Sequence, residues 1–147
     1  MSAYGLSKTS GKSYRLFISH AWAYGDSYTR IVTMLNAAPR FRWINYSAPA
    51  DKPVVNENTV IGKRKMKAEL ADQIRPVGCV IVLAGMYASY REWIQAEIDI
   101  ATGWSKPILG VKPRGALRTP LAVSNAADEM VAWNTASIVA AVRRLSA

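Results

Sequence analysis

Residues 79–84 read CVIVLA, an unbroken apolar run rich in β-branched side chains. The run is too short for a core helix and lacks the alternation of a strand with one wet face, so it predicts a strand buried on both sides. A sheet containing such a strand needs a layer of helices on each face.

The rest of the chain supplies those layers. Strands are predicted over 14–19 (YRLFIS), 41–46 (FRWINY) and 107–111 (PILGV), with a short fifth strand over 130–133. Helical spacing of apolar residues appears over 27–37, where Tyr28, Ile31, Val32 and Leu35 recur, and over 63–74, where Met66, Leu70 and Ile74 do. Further helices are predicted over 89–104 and 135–145. Residues 47–60 form the longest loop, rich in Pro, Asn and Asp, and 112–119 (KPRGALRT) form a basic loop. Strand and helix alternate, which implies right-handed crossovers and a parallel sheet. The expected fold is an α/β three-layer sandwich, flavodoxin-like, with a central parallel sheet in the order 2-1-3-4-5 and helices on both faces. Ligands in such sheets bind at the carboxyl ends of the strands, where strand order reverses. That directs attention to loops 20–26 and 85–88, after strands one and three.

The 147 residues suit one domain. Residues 1–13 are small and polar and are read as a flexible arm, with one domain over 14–147. The single cysteine, Cys79, and single histidine, His20, exclude an internal disulfide and a zinc site built from such ligands. No metal site is expected. A reducing, cytoplasmic setting follows from cysteine usage and from the lack of a signal-like or membrane-length apolar stretch. The formal charge is +9. Its one dense cluster, Lys63, Arg64, Lys65 and Lys67, reads as a solvated helix face, which makes nucleic acid an unlikely partner.

The third helix carries the residue that breaks the pattern. Ser89 and Glu92 have the spacing of a capping box. On a helical wheel, Tyr90, Trp93, Ile94, Ile98, Ile100, Ala101 and Trp104 share a broad apolar face, and Glu97 falls in its middle. Burying a carboxylate is costly unless it is paired or neutralised. Glu97 therefore either pairs inside the fold or faces a crevice as a working group.

The segment FISHAW followed by Asp26, together with SYREWIQAE over 89–97, resembles the strand-loop and helix motifs of Toll/interleukin-1 receptor (TIR) domains. The resemblance is nearest to the bacterial TIR-like subgroup that includes the TIR proteins of the Thoeris anti-phage system, and it spans about residues 14–145. Ile94 stands where a cysteine is usual in the family. The resemblance implies cleavage of NAD+ as substrate, with no separate cofactor. Glu97 takes the place of the catalytic glutamate. Ser19, His20, Ala21 and Trp22, with Asp26, Ser89 and Trp93, are then expected to bind substrate. It also implies a homo-oligomer on activation, shaped partly by the 47–60 loop, and a cyclic ADP-ribose-type product that reaches a separate effector protein. A non-enzymatic TIR-like scaffold is the alternative. A phospho-acceptor receiver is disfavoured because Ala84 and Gly85 stand where its aspartate would be. A flavin carrier is disfavoured because SHAWAYGD is too bulky for a phosphate loop.

Overall fold

A computed structural model of the chain describes residues 12–19, 26–47, 59–87, 91–115 and 118–146. The elements run β1 (Ser13–Ile18), α1 (Asp26–Ala37), β2 (Arg42–Asn45), α2 (Val60–Ile74), β3 (Cys79–Leu83), a 3-10 turn (Ala84–Met86), α3 (Arg91–Gly103), β4 (Ile108–Val111), α4 (Leu121–Ala126), β5 (Glu129–Val131) and α5 (Thr135–Leu145). All four strand pairings are parallel, and the sheet order is β2-β1-β3-β4-β5. The flavodoxin-like sandwich expected from the alternation is the fold observed.

β3 is buried at every position. Its side chains alternate between two cores. Cys79, Ile81 and Leu83 join β1's Leu16 and Ile18 under α1 and α5. Val80 and Val82 join Phe17 under α2, α3 and α4. The polypeptide thus feeds both helical layers from one strand, as a period of two dictates.

Local chemistry sets the helix ends. The Thr59 hydroxyl accepts from the Gly62 amide at 2.9 Å and caps α2. The helix therefore starts at Val60, three residues before the start expected from apolar spacing. Asn134 caps α5 by accepting from the Ser137 amide at 2.9 Å. The strand predicted at 130–133 instead covers Glu129–Val131, and β1 takes in Ser13, which was assigned to the arm. The sequence reading also missed α4. With six residues and one buried side chain, Val123, it has too little periodicity to register.

Gly110 in β4 stands opposite Met130 in β5. A Cβ built on Gly110 would lie 2.2 Å from Met130 Sδ and 3.4 Å from Ala127 Cβ. The methionine folds over the strand where a side chain would otherwise stand. Gly110→Ala should therefore cost about 1–3 kcal/mol by overpacking. In a Met130→Ala background the same change should cost less, because the sulfur is gone. Urea unfolding of the two single variants and the double variant measures the difference, and equal costs in both backgrounds would contradict this packing.

Candidate functional site

Glu97 lies midway along α3 and has 0% of its surface exposed. Ile94, Ala96, Ile98 and Ala101 are the other buried residues of the helix. Positions 94, 97, 98 and 101 form one stripe at helical spacing, so the carboxylate sits in the seam between α3 and the sheet. Ile94, Ile98 and Ala101 pack there with Phe17, Val80 and Val82, and Trp93 lies half-buried against the same cluster. The expectation that Glu97 points inward is met. Trp104, placed on the same face by the wheel, is 48% exposed. It lies beyond the last residue of the helix, with the Arg75 guanidinium 5.7 Å from its ring centroid.

Glu92 turns outward and pairs with Lys63 of α2 at 3.2 Å. Ser89, its expected capping partner, lies outside the described residues, as do His20, Ala21 and Trp22.

Ser19 follows β1 and is fully buried. Its amide donates to the Ile81 carbonyl at 2.7 Å, which extends the β1–β3 ladder by one step. Its hydroxyl oxygen is buried with no hydrogen-bond partner among the described residues. A buried hydroxyl in that state calls for a physical reason, and a ligand contact is one. It stands at the carboxyl end of β1, beside β3, where the strand order reverses.

Asp26 opens α1 at the surface. Its carboxylate receives Arg30 at 2.7 Å and Arg114, from the loop after β4, at 3.0 Å. Those two guanidiniums hold the Asp26 carboxyl below the ordinary carboxylate range. Here the residue serves as an ion-pair hub joining α1 to the β4 loop. The sequence flagged that loop as basic, but a partner 88 residues away leaves no local signal.

The carboxyl end of β2 holds a polar cluster that sequence reasoning missed. The Asn45 amide nitrogen donates to the Tyr28 hydroxyl at 3.0 Å. Asn45 Oδ1 accepts from the Ser47 amide at 2.9 Å and also from the Ser47 hydroxyl. Ser47 is fully buried. Of the 47–60 loop expected to shape the site, residues 48–58 lie outside the described residues.

Among the described residues, no group of three or more His, Cys, Asp or Glu side chains could hold a metal ion. None of the described helices is long and apolar enough to cross a membrane. Cys79 is fully buried, and burial pushes its thiol up to about 12.

With this geometry in place, comparison with known proteins is decisive at the level of family. The sequence pattern described as Thoeris protein ThsB, TIR-like domain, matches residues 17–118. The chain belongs to the Thoeris ThsB TIR-like family. The matched span holds Ser19, Asp26, Trp93 and Glu97, so the buried carboxylate is part of the TIR-like core. Among solved structures, the Clostridium botulinum CMP N-glycosidase BcmB is similar to this TIR-like chain at a TM-score of 0.51 and 12% identity. That alignment covers 88% of this chain and 98% of the other. At this identity the likeness is one of fold. No curated protein sequence matches the chain.

Two outcomes follow from the site's surroundings. Asn45→Ala should cost about 1–3 kcal/mol, since buried partners lose their hydrogen bonds, and chemical denaturation checks it. Native protein near neutral pH should leave Cys79 unmodified by iodoacetamide over hours, with full alkylation once denaturant is added. Rapid modification of the folded chain would contradict the burial.

Proposed function

We propose that this TIR-like domain cleaves the nicotinamide–ribose bond of NAD+, with Glu97 as the catalytic carboxylate. The observation that carries the reading is the full burial of Glu97 on the sheet-facing stripe of α3, inside the matched family region.

The chemistry asks little else of the protein. Nicotinamide departs as a neutral molecule, so the leaving group needs no general acid. Positive charge grows on the ribose as the C–N bond breaks, and a nearby carboxylate stabilises that oxocarbenium character, as in glycosidases. The apolar seam around Glu97 strengthens the interaction by lowering the local dielectric. Trp93 is close enough along the helix to offer an aromatic wall. Capture of the ribosyl carbon by water releases ADP-ribose and a proton. Capture by a group of the same molecule, with no water added, releases a cyclic ADP-ribose that is one water short of the hydrolysis product, the form in which the product would act on a separate effector.

Because solvent does not reach Glu97, substrate must part the side chains that cover it. Self-association on activation is a reasonable source of that rearrangement. Val60 and Ile61, 74% and 65% exposed at the start of α2, offer apolar surface for it. The same surface favours a second reading, a scaffold that acts through assembly alone.

Incubation of concentrated protein with NAD+, followed by separation of products by mass and retention time, decides between them. Nicotinamide release is expected from the wild type. In Glu97→Gln it should fall about 10²–10³-fold, the usual effect of removing a preorganised electrostatic group, with an unchanged melting curve. Equal release by both proteins would remove Glu97 from the chemistry. No release at any concentration, together with concentration-dependent assembly, would establish the scaffold.

A further inference from the structure

A pocket lies at the carboxyl ends of β3 and β4, on the side of the sheet away from Glu97. It encloses about 220 Å³ and is lined in part by Ser27, Gly85, Lys112, Arg114 and Trp133. Its floor residues, Leu83 and Val111, belong to the core under α1 and α5, and Trp133 packs against that core. Glu97's helix packs on the opposite face. The pocket and the buried carboxylate are therefore served by different layers of the sandwich.

The pocket's walls are anchored. The Lys112 amide donates to the Val131 carbonyl at 2.9 Å, which ties the loop after β4 to β5. Gly85, in the turn after β3, lies against Pro113 of the same loop, where a Cβ would stand 3.4 Å from Pro113 Cβ, in ordinary contact. The Arg114 guanidinium is held over the Trp133 ring, 5.3 Å from its centroid, and against Asp26. Cations on a braced backbone lose little freedom when they bind an anion.

Charge and size then select the ligand. Arg30 and Arg114 share the single carboxylate of Asp26, and Lys112 lines the pocket beside Arg114, so positive charge is in surplus among these described residues. The start of α1, at Asp26 and Ser27, adds the positive end of a helix dipole. An arginine fork and a lysine suit phosphate oxygens. Trp133 lines the pocket and carries the Arg114 guanidinium on its ring, which holds that fork in place. The volume is below the roughly 300–1,000 Å³ of sites that enclose a drug-sized ligand, so a whole dinucleotide does not fit inside it. We propose that the Lys112–Arg114–Trp133 pocket binds the phosphate group of a sugar phosphate or nucleotide, at a site separate from Glu97.

Isothermal titration of the full chain with ribose 5-phosphate, and separately with ADP-ribose, tests this. Saturable binding of ribose 5-phosphate supports a monophosphate site. Binding of ADP-ribose alone supports a diphosphate site that would sense the product of dinucleotide cleavage. In either case Lys112→Ala/Arg114→Ala should weaken binding about tenfold or more, as expected when charge-assisted hydrogen bonds are lost. Trp133→Phe, which keeps an aromatic face, should bind within a few-fold of wild type. Glu97→Gln should bind like wild type even where it no longer releases nicotinamide, so the two sites stand or fall separately. Absence of saturable binding for both ligands would overturn the proposal. So would binding that ignores the Lys112/Arg114 change in a variant with wild-type circular dichroism, or binding lost in Glu97→Gln.

Discussion

The structure depends on the burial of β3. A strand enclosed on both faces and both edges must hydrogen-bond its whole backbone to neighbours in the sheet, because no water reaches it. β1 and β4 provide those neighbours, both parallel. Parallel neighbours in turn require crossovers long enough to span the sheet, and helices meet that need. Once Cys79, Ile81 and Leu83 face one way and Val80 and Val82 the other, two helical layers must form to cover them. The reversal of strand order between β1 and β3 belongs to the same arrangement.

Within this arrangement Glu97 is the local violation. Its neighbours on the stripe are isoleucine and alanine, and any of them would be a cheaper occupant of the seam. Sequences that specify a fold keep their local choices consistent with it, and departures gather where chemistry is needed. The buried Ser19 hydroxyl at the end of β1 is a second departure of the same kind, in the neighbouring strand. Both belong to the region that the ThsB TIR-like pattern matches.

Most of the architecture was legible because its determinants are local. Runs such as CVIVLA and apolar residues at helical spacing announce an element from within the element, and alternation of elements announces a parallel sheet. The inward aim of Glu97 was legible for the same reason, since a wheel needs only the helix itself. What escaped was set by distant partners or by too few residues. α4 buries one side chain, so its sequence carries no period. Trp104, at the end of the helix, is exposed under the Arg75 guanidinium, and a wheel does not record where a helix stops. The start of α2 moved to Val60 because a single threonine hydroxyl satisfied an amide. The Asp26–Arg114 pair joins positions that only the fold brings together.

That last pair shows how a basic chain of this kind organises its charge. An excess of nine positive charges is spread over the sequence, and charges on exposed side chains are screened by water and salt. The loop after β4 differs because its backbone is pinned to β5 and its arginine is held by both an aromatic ring and a carboxylate. Fixed charge beside a concave surface acts on a ligand more strongly than the same charge on a free side chain, since less ordering remains to be done on binding. The two faces of the sheet thus carry two kinds of polarity. On one side a carboxylate is buried away from water, suited to a developing cation. On the other, cations converge on a pocket at the surface, suited to an anion. A phosphorylated sugar carries the second of these charges at rest and the first only as its glycosidic bond breaks, so a single class of ligand has a physical reason to visit both.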